Sequence, residues 1–338
     1  MKQATIRDIQ KATGLSLSTI SKYLNGGHVL NENKVKIDSS IKELNFTVNQ
    51  FGRNLKTNTS KTIGVLIPFL TSYFTTSIVE IIEDTLRQNG YGTIICNCRD
   101  DTRYEAECLR FMIEKRVDGI FTVPCNQSGE HLKAARAASI PVILLDQLTT
   151  RFETDAVLIN NREITRQCVR EFVKLGHRRI GFINGPDKYY TFRERMAGYL
   201  EALDEAGIER DGALAVIEGM SIEGGQTGTR RLLHLDNPPT ALLCANYEIS
   251  LGAIKEINAA GIIIGSALSM ICFDLNGLAD VFKPRLTVVS QPVADIAKEA
   301  AELMLGRLKD EGTSSKTNIV SFPAELVDGD SVCAAVRF

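Results

Sequence analysis

Between residues 5 and 25, apolar side chains recur at helical spacing in two short stretches separated by a glycine. Ile6, Ile9 and Ala12 fall on one stripe, Gly14 stands where the chain must turn, and Leu15, Ile20 and Leu24 form a second stripe. The pattern predicts two short helices joined by a tight turn, with Ser16 as N-cap of the second. The opposite face of that helix carries Leu17, Ser18, Ser21 and Lys22, a surface suited to a DNA major groove. A third helix is expected over about 33–44, with Val35, Ile37, Ile41 and Leu44 closing a three-helix core.

Residues 45–61 change character. They are polar, rich in Asn, Thr and Lys, and include Gly52, as in a linker that is structured only conditionally. Beyond them apolar runs at 62–67, 91–96, 117–123 and 141–145 alternate with helical stretches near 77–88, 103–115 and 129–138. The rhythm restarts after Asn160: helices near 162–175, 194–206, 224–233 and 249–259 separate runs at 179–183, 214–217, 240–244 and 268–273. Strands alternating with helices predict an α/β body of two similar halves, each a parallel sheet flanked by helices, facing each other across a cleft. Ligands of such sheets bind beyond the carboxyl ends of the strands, so the loops after Ile67, Leu145, Ile183, Cys244 and Phe273 should line that cleft.

Charge sharpens the division. The 338 residues carry a formal net charge of -2, yet the first 60 hold nine Lys/Arg against four Asp/Glu. A basic head on an acidic body is the footprint of a nucleic-acid module attached to something else. With 44% apolar residues, no secretory pattern and no apolar run of ~18 residues, a cytoplasmic protein of two or three folding units is expected. The eight cysteines are scattered; Cys96 and Cys98 should point to opposite faces of one strand, which suits buried reduced thiols better than metal ligands. His177 lacks partners for nucleophilic catalysis, and no Gly-rich phosphate loop follows the first strand, so neither an enzyme nor a cofactor is expected.

The full layout resembles the lactose/purine repressor (LacI/GalR) family of bacterial transcription regulators. The resemblance rests on Thr5-Ile-Arg-Asp-Ile with Gly14-Leu-Ser-Leu-Ser-Thr-Ile-Ser-Lys-Tyr-Leu-Asn25, then Ile41-Lys-Glu-Leu-Asn-Phe46, Thr62-Ile-Gly-Val-Leu-Ile-Pro68, Val117-Asp-Gly-Ile120 and Leu175-Gly-His-Arg-Arg-Ile-Gly-Phe182. Arg195-Met-Ala-Gly-Tyr199, Pro239-Thr-Ala241, Cys272-Phe-Asp274 and Gln291-Pro292 extend it through the body. It implies a helix-turn-helix head over 1–46, a hinge helix and linker over 47–61, and an effector-binding and dimerisation domain of the periplasmic-binding-protein type over 62–338. The N-lobe would comprise about 62–160 and 291–320, and the C-lobe about 161–290 and 321–338.

The resemblance also implies roles. Leu17, Ser18 and Lys22 match base-reading positions, while Thr5, Ser16, Thr19, Ser21 and Asn25 match phosphate contacts. Asn49 and Gln50 open the segment resembling the DNA-bound hinge helix, and Leu55 matches its minor-groove wedge. In the body, Arg195, Asp274, Asn246 and Gln291 match polar effector contacts, Tyr73 and Phe74 an aromatic wall, and Asp146 a further polar position.

Several positions depart from the family pattern: Val48 replaces a usual Pro, Gly52 an Ala, and Phe69, Ser72, Asn160 and Tyr247 replace Asp, Asn, Asp and Asp. The expected function is a DNA-binding repressor controlled by a sugar or sugar-acid effector, acting as a homodimer on double-stranded operator DNA, with no membrane partner. Ser221 stands where a second stacking aromatic would favour a purine. Control by a phosphocarrier protein and a plain sugar-binding role are the alternatives, the latter opposed by the DNA head.

Overall fold

The computed structural model describes residues 4–24, 26–46, 59–275, 277–309 and 316–335. It divides into two compact units, Met1–Ser60 and Lys61–Phe338.

In the first unit, α1 (Ile6–Thr13), α2 (Leu17–Leu24) and α3 (Asn31–Glu43) pack around Ile9, Ile20 and Ile37, each wholly buried. Ile6, Leu15, Tyr23, Leu24, Ile41 and Leu44 surround them. A capping box starts α1, with the Thr5 N–H donating to Asp8 Oδ2 at 2.9 Å. Gly14 ends it at φ 70°, the left-handed conformation that costs glycine nothing. Two expected core positions lie outside. Ala12 is exposed because successive steps of three residues lag the 3.6-residue turn, carrying the stripe towards Thr13 instead. Val35 is 68% exposed: it lies two residues from Ile37, on the far side of α3, whereas Ile41 and Leu44 fall below Ile37.

The second unit contains two six-stranded sheets. The first is built from β1 (Thr62–Ile67), β2 (Gly92–Asn97), β3 (Gly119–Thr122), β4 (Val142–Leu145), β5 (Asp155–Ile159) and β11 (Ile319–Phe322), in the order β11-β5-β4-β3-β1-β2 and parallel throughout. The second joins β6 (Ile180–Asn184), β7 (Ala215–Ile217), β8 (Ala241–Cys244), β9 (Ser269–Phe273), β10 (Thr287–Ser290) and β12 (Glu325–Val327), in the order β12-β10-β9-β8-β6-β7. Only β12 runs antiparallel to its neighbour. The helices α4 (Tyr73–Gln88), α5 (Thr102–Glu114), α6 (Lys133–Ala137), α7 (Asn161–Lys174), α8 (Tyr190–Glu205), α9 (Ile222–Leu233), α10 (Tyr247–Ala259) and α11 (Val293–Lys309) flank them. The chain passes from one sheet to the other after Ile159, after Ser290 and after Phe322, so three connections join two lobes.

The α/β architecture agrees with the apolar pattern, and the differences have physical causes. Strand β5 follows β4 through a loop with no helix, so it falls outside the strand–helix rhythm, although all five of its residues are buried. Nothing in that rhythm predicts β10 to β12, which are only three or four residues long. Helix α4 begins at Tyr73, with Ser72 Oγ accepting from the Thr75 N–H at 3.5 Å. Helix α8 begins at Tyr190, which puts Arg195 in its second turn, not at its start.

Cys98 lies just beyond β2, so it does not alternate with Cys96 inside the strand; its Sγ is 3.7 Å from that of Cys125. Cys96, Cys108 and Cys333 are half-buried and the other five buried, all as free thiols. Among the described residues no helix is long and apolar enough to cross a membrane.

Candidate DNA-reading face and interlobe cleft

The outward face of α2 is held in place from below. Ser16 Oγ accepts from the Thr19 N–H at 3.1 Å, capping the helix, and lies 2.7 Å from Ser18 Oγ and 2.9 Å from Thr19 Oγ1. Tyr23 donates its hydroxyl to Asp38 at 2.5 Å, pinning α2 to α3. Leu17, Ser18 and Lys22 are exposed and Thr19 and Ser21 half-buried. A shallow hollow of about 530 Å³ runs beside Ser18 and Lys22, edged by His28, Leu30 and Asn33. The Thr5 hydroxyl donates to Asp8 at 2.7 Å, so it already has a partner inside the cap of α1. Asn25, Asn49, Gln50 and Leu55 lie outside the described residues.

In the body, a cavity of about 690 Å³ opens between the carboxyl ends of the two sheets. All five loops expected there contribute, through Phe69, Asp146, Pro186, Asn246 and Asp274. Each lobe places an aspartate directly after a central strand with its backbone in the left-handed region: Asp146 after β4 at φ 51° and Asp274 after β9 at φ 67°. Non-glycine residues adopt this conformation at a cost, and it recurs at binding sites.

Arg195 is the cation these carboxylates sense. It is 2% exposed, its Nε donates to Asn161 Oδ1 at 2.8 Å, a second guanidinium nitrogen donates to the Ala245 carbonyl, and its plane lies 3.9 Å from the Phe273 ring centre. Burial lowers its pKa while Asp274 and Asp146 oppose that shift; a guanidinium stays charged regardless. Burial pushes the Asp146 carboxyl up to about 6, against the pull of Arg195 and Thr191. Burial raises Asp274 too, opposed by Arg195 and by Gln291, whose Nε2 donates to Asp274 Oδ1 at 2.6 Å.

Contacts in three places join the lobes across the cleft among the described residues. Thr191 on α8 donates to the Asp146 carbonyl at 2.6 Å, while Gln147 donates to the Thr191 hydroxyl at 3.1 Å and accepts from the Tyr190 N–H at 2.8 Å. Asp100, in the loop after β2, accepts from the Tyr189 hydroxyl at 2.6 Å and from Lys188 at 2.5 Å. At the mouth, Tyr73 of α4 stacks on Tyr247 of α10 with ring centres 5.0 Å apart.

The expected site residues therefore divide. Phe74, Asp146, Arg195, Asn246, Asp274 and Gln291 all line the cavity. Tyr73 does not: it is 47% exposed and spends its face on Tyr247, a residue standing where the family pattern has Asp. Asn246 lines the cavity but uses both ends of its amide, Oδ1 accepting from the Ile249 N–H at 2.8 Å to cap α10 and Nδ2 donating to Glu248 at 2.9 Å.

Sequence patterning misses Asp100, Gln147, Thr191 and Glu248. Each lies within a few residues of a strand end or helix start, and that position is the only signal they carry. Ser221 caps α9 through the Gly224 N–H at 3.0 Å. His177 is buried, its Nδ1 2.8 Å from Thr240 Oγ1 and its Nε2 2.9 Å from the Cys333 carbonyl, so it ties three segments together instead of supporting only its own turn. Burial lowers its pKa, favouring the neutral ring. Among the described residues no cluster of His, Cys, Asp or Glu is placed to hold a metal ion.

A three-helix head with a polar reading helix, in one chain with a two-lobed body closed around a buried Arg–Asp cleft, defines the class of ligand-responsive DNA-binding regulators. Residues 169–332 match the periplasmic binding protein-like domain. The chain is 30% identical over 318 residues to the ribose operon repressor of Haemophilus influenzae, covering 94% of this chain and 96% of that protein. It is 31% identical to the HTH-type transcriptional repressor PurR of Vibrio campbellii, covering 91% and 93% respectively. A crystal structure of the Lac repressor bound to ONPG in its repressed state superposes with a TM-score of 0.86 at 25% identity, covering 98% of this chain and all of that one. The chain belongs to the lactose/purine repressor (LacI) family: it is a DNA-binding transcriptional repressor with an effector-binding body.

Proposed function

We propose that residues 1–46 read a near-palindromic operator as one half of a homodimer, that 47–61 form the hinge, and that 62–338 dimerise and bind a polyhydroxylated small molecule between the lobes. The lobes exchange at about 160, 290 and 320. The observation that carries this proposal is the set of hydrogen bonds that tie Thr191 and Tyr190 of α8 in one lobe to Asp146 and Gln147 of the other, beside a cavity that Arg195 and Asp274 also line. A ligand bridging these groups favours one closure angle of the lobes over the other, and the operator responds to that preference by linkage. Leu17, Ser18 and Lys22 contact bases; Ser16, Thr19 and Ser21 position the head on phosphates. The sugar-operon and sugar-ligand names of the relatives support a carbohydrate effector. The cleft is a site of binding, not catalysis, and the protein acts in the cytoplasm, where the operator is.

The test compares the full chain with residues 61–338 on a palindromic duplex at moderate salt. The full chain should bind and the truncated one should not; equal binding by both overturns the role of the head. A sugar at ~100 times its dissociation constant should stabilise the body by about 2.7 kcal/mol and shift operator affinity in the same titration.

A further inference from the structure

We infer that the cleft selects a sugar carrying a protonated amine, recognised by Glu248 with Asp146 and Asp274, over acidic or phosphorylated sugars. This rests on the effector-binding function proposed above and names the chemistry that the site takes. Among the described residues, the acidic and basic side chains lining the cavity are Asp100, Asp146, Glu223, Glu248 and Asp274 against Arg195. Lys188 neutralises Asp100, and Arg195 is already committed to Asn161 and the Ala245 carbonyl. A surplus of negative charge therefore faces the ligand.

Unmet hydrogen-bonding capacity points the same way. Gln291 is 5% exposed and Asp146 8%, yet Gln291 Oε1 and Asp146 Oδ1 have no hydrogen-bond partner, and Glu248 Oε1 has none either. All three atoms are acceptors on residues that line the cavity, against one unpartnered donor nearby, the Asn161 amide nitrogen beside Asp146, so acceptors outnumber donors among the unmet groups. An ammonium supplies three donors and a positive charge, whereas a carboxylate or phosphate brings further acceptors and further negative charge. Tyr247, Phe74 and Phe192 add aromatic faces of the kind that attract cations. Burial raises both Glu248 and Asp146 towards neutrality, and a bound ammonium would hold them ionised.

The experiment uses the full chain and matched sugars of the gluco, galacto and manno series, each as the 2-amine, the 2-hydroxyl and the 6-phosphate, with melting temperature and titration calorimetry as readouts. At least one 2-amine should bind about tenfold tighter than its hydroxyl counterpart and about a hundredfold tighter than its phosphate. Glu248→Gln, which keeps the shape and removes the charge, should abolish the preference for the amine, bringing the affinity ratio of amine to hydroxyl form to about one. Asp146→Asn gives a second such comparison if the Glu248 variant melts early.

The inference is overturned if a phosphate or acid form binds as tightly as the amine, if no amine shifts the melting temperature at about 10 mM, or if Glu248→Gln retains the preference. Operator release by an acidic sugar would overturn this inference alone and leave the regulatory function standing.

Discussion

Leu17, Ser18 and Lys22 stand in solvent on a helix held by three buried isoleucines, whereas Asp146, Arg195 and Asp274 are buried around one cavity inside a body of 278 residues. If the proposed roles hold, the head separates the groups that recognise from the groups that stabilise. In the cleft they are the same groups, and several hold strained backbone or orphaned acceptors. Substitutions should therefore split binding from stability in the head and fuse them in the cleft.

The largest effects test the supports on each side. Arg195→Met removes the one Lys or Arg lining the cavity among the described residues and leaves Asp146 and Asp274 without its charge, so the body should lose about 3–5 kcal/mol in denaturant unfolding while the head keeps its own transition. Ile20→Ala should remove about 2–5 kcal/mol from a head with very little core, enough to unfold it and abolish operator binding without moving the melting temperature of the body. A body that tolerated Arg195→Met within 1 kcal/mol or so would mean that the carboxylates are protonated already.

A pH titration sharpens the same contrast. Asp146 titrates near 6 in the folded body against an ordinary value of 3.8, so folding favours its protonated form. The cost of keeping it ionised is absent below pH 4, grows as pH rises from about 4 to 6, and is complete above that, up to about 3 kcal/mol. The ligand-free body should therefore melt lower at pH 7 than at pH 5, and Asp146→Asn should flatten that slope. An unchanged slope in the variant would assign the dependence to Asp274 or Glu248, which burial shifts in the same direction.

These contrasts also explain what the sequence made legible. The head and most strands announce themselves because the hydrophobic period is local: Ile9, Ile20 and β4 need no knowledge of distant residues. Arg195, Asp274 and Gln291 were identifiable because their motifs carry a family resemblance. Glu248 and Gln147 were not, since a lone polar residue after a strand becomes a site only when another lobe arrives opposite it, as Thr191 does for Gln147. Tyr73 misled for the complementary reason: an aromatic in the right loop was expected on the cavity, but Tyr247 stands within stacking range and takes its face.

On the head, Lys22→Ala should weaken operator binding by about 1–3 kcal/mol with little change in head stability, because its side chain is exposed and covers only the backbone at Gly27. If Lys22 contacts a base, the loss will depend on the sequence of one operator position. A uniform loss across operators, with a shallower salt dependence, would instead make it a phosphate contact.

The smallest effect probes the mouth of the cleft, where the two lobes meet through surface chemistry of the kind found on the head. Tyr73 and Tyr247 stack at 5.0 Å while Tyr73 stays 47% exposed, so Tyr73→Ala should cost about 0.5–1.5 kcal/mol beyond its buried area and lower the melting temperature of the body by a few degrees. Since the stack bridges α4 and α10, its loss should favour the open lobes and speed ligand exchange without altering which ligand is chosen. Stopped-flow dissociation and operator titration on the same variant separate two outcomes. Faster ligand release with unchanged ligand-free operator affinity confines the stack to gating. A change in operator affinity without ligand would show that the closure angle of the lobes already sets how the head holds DNA.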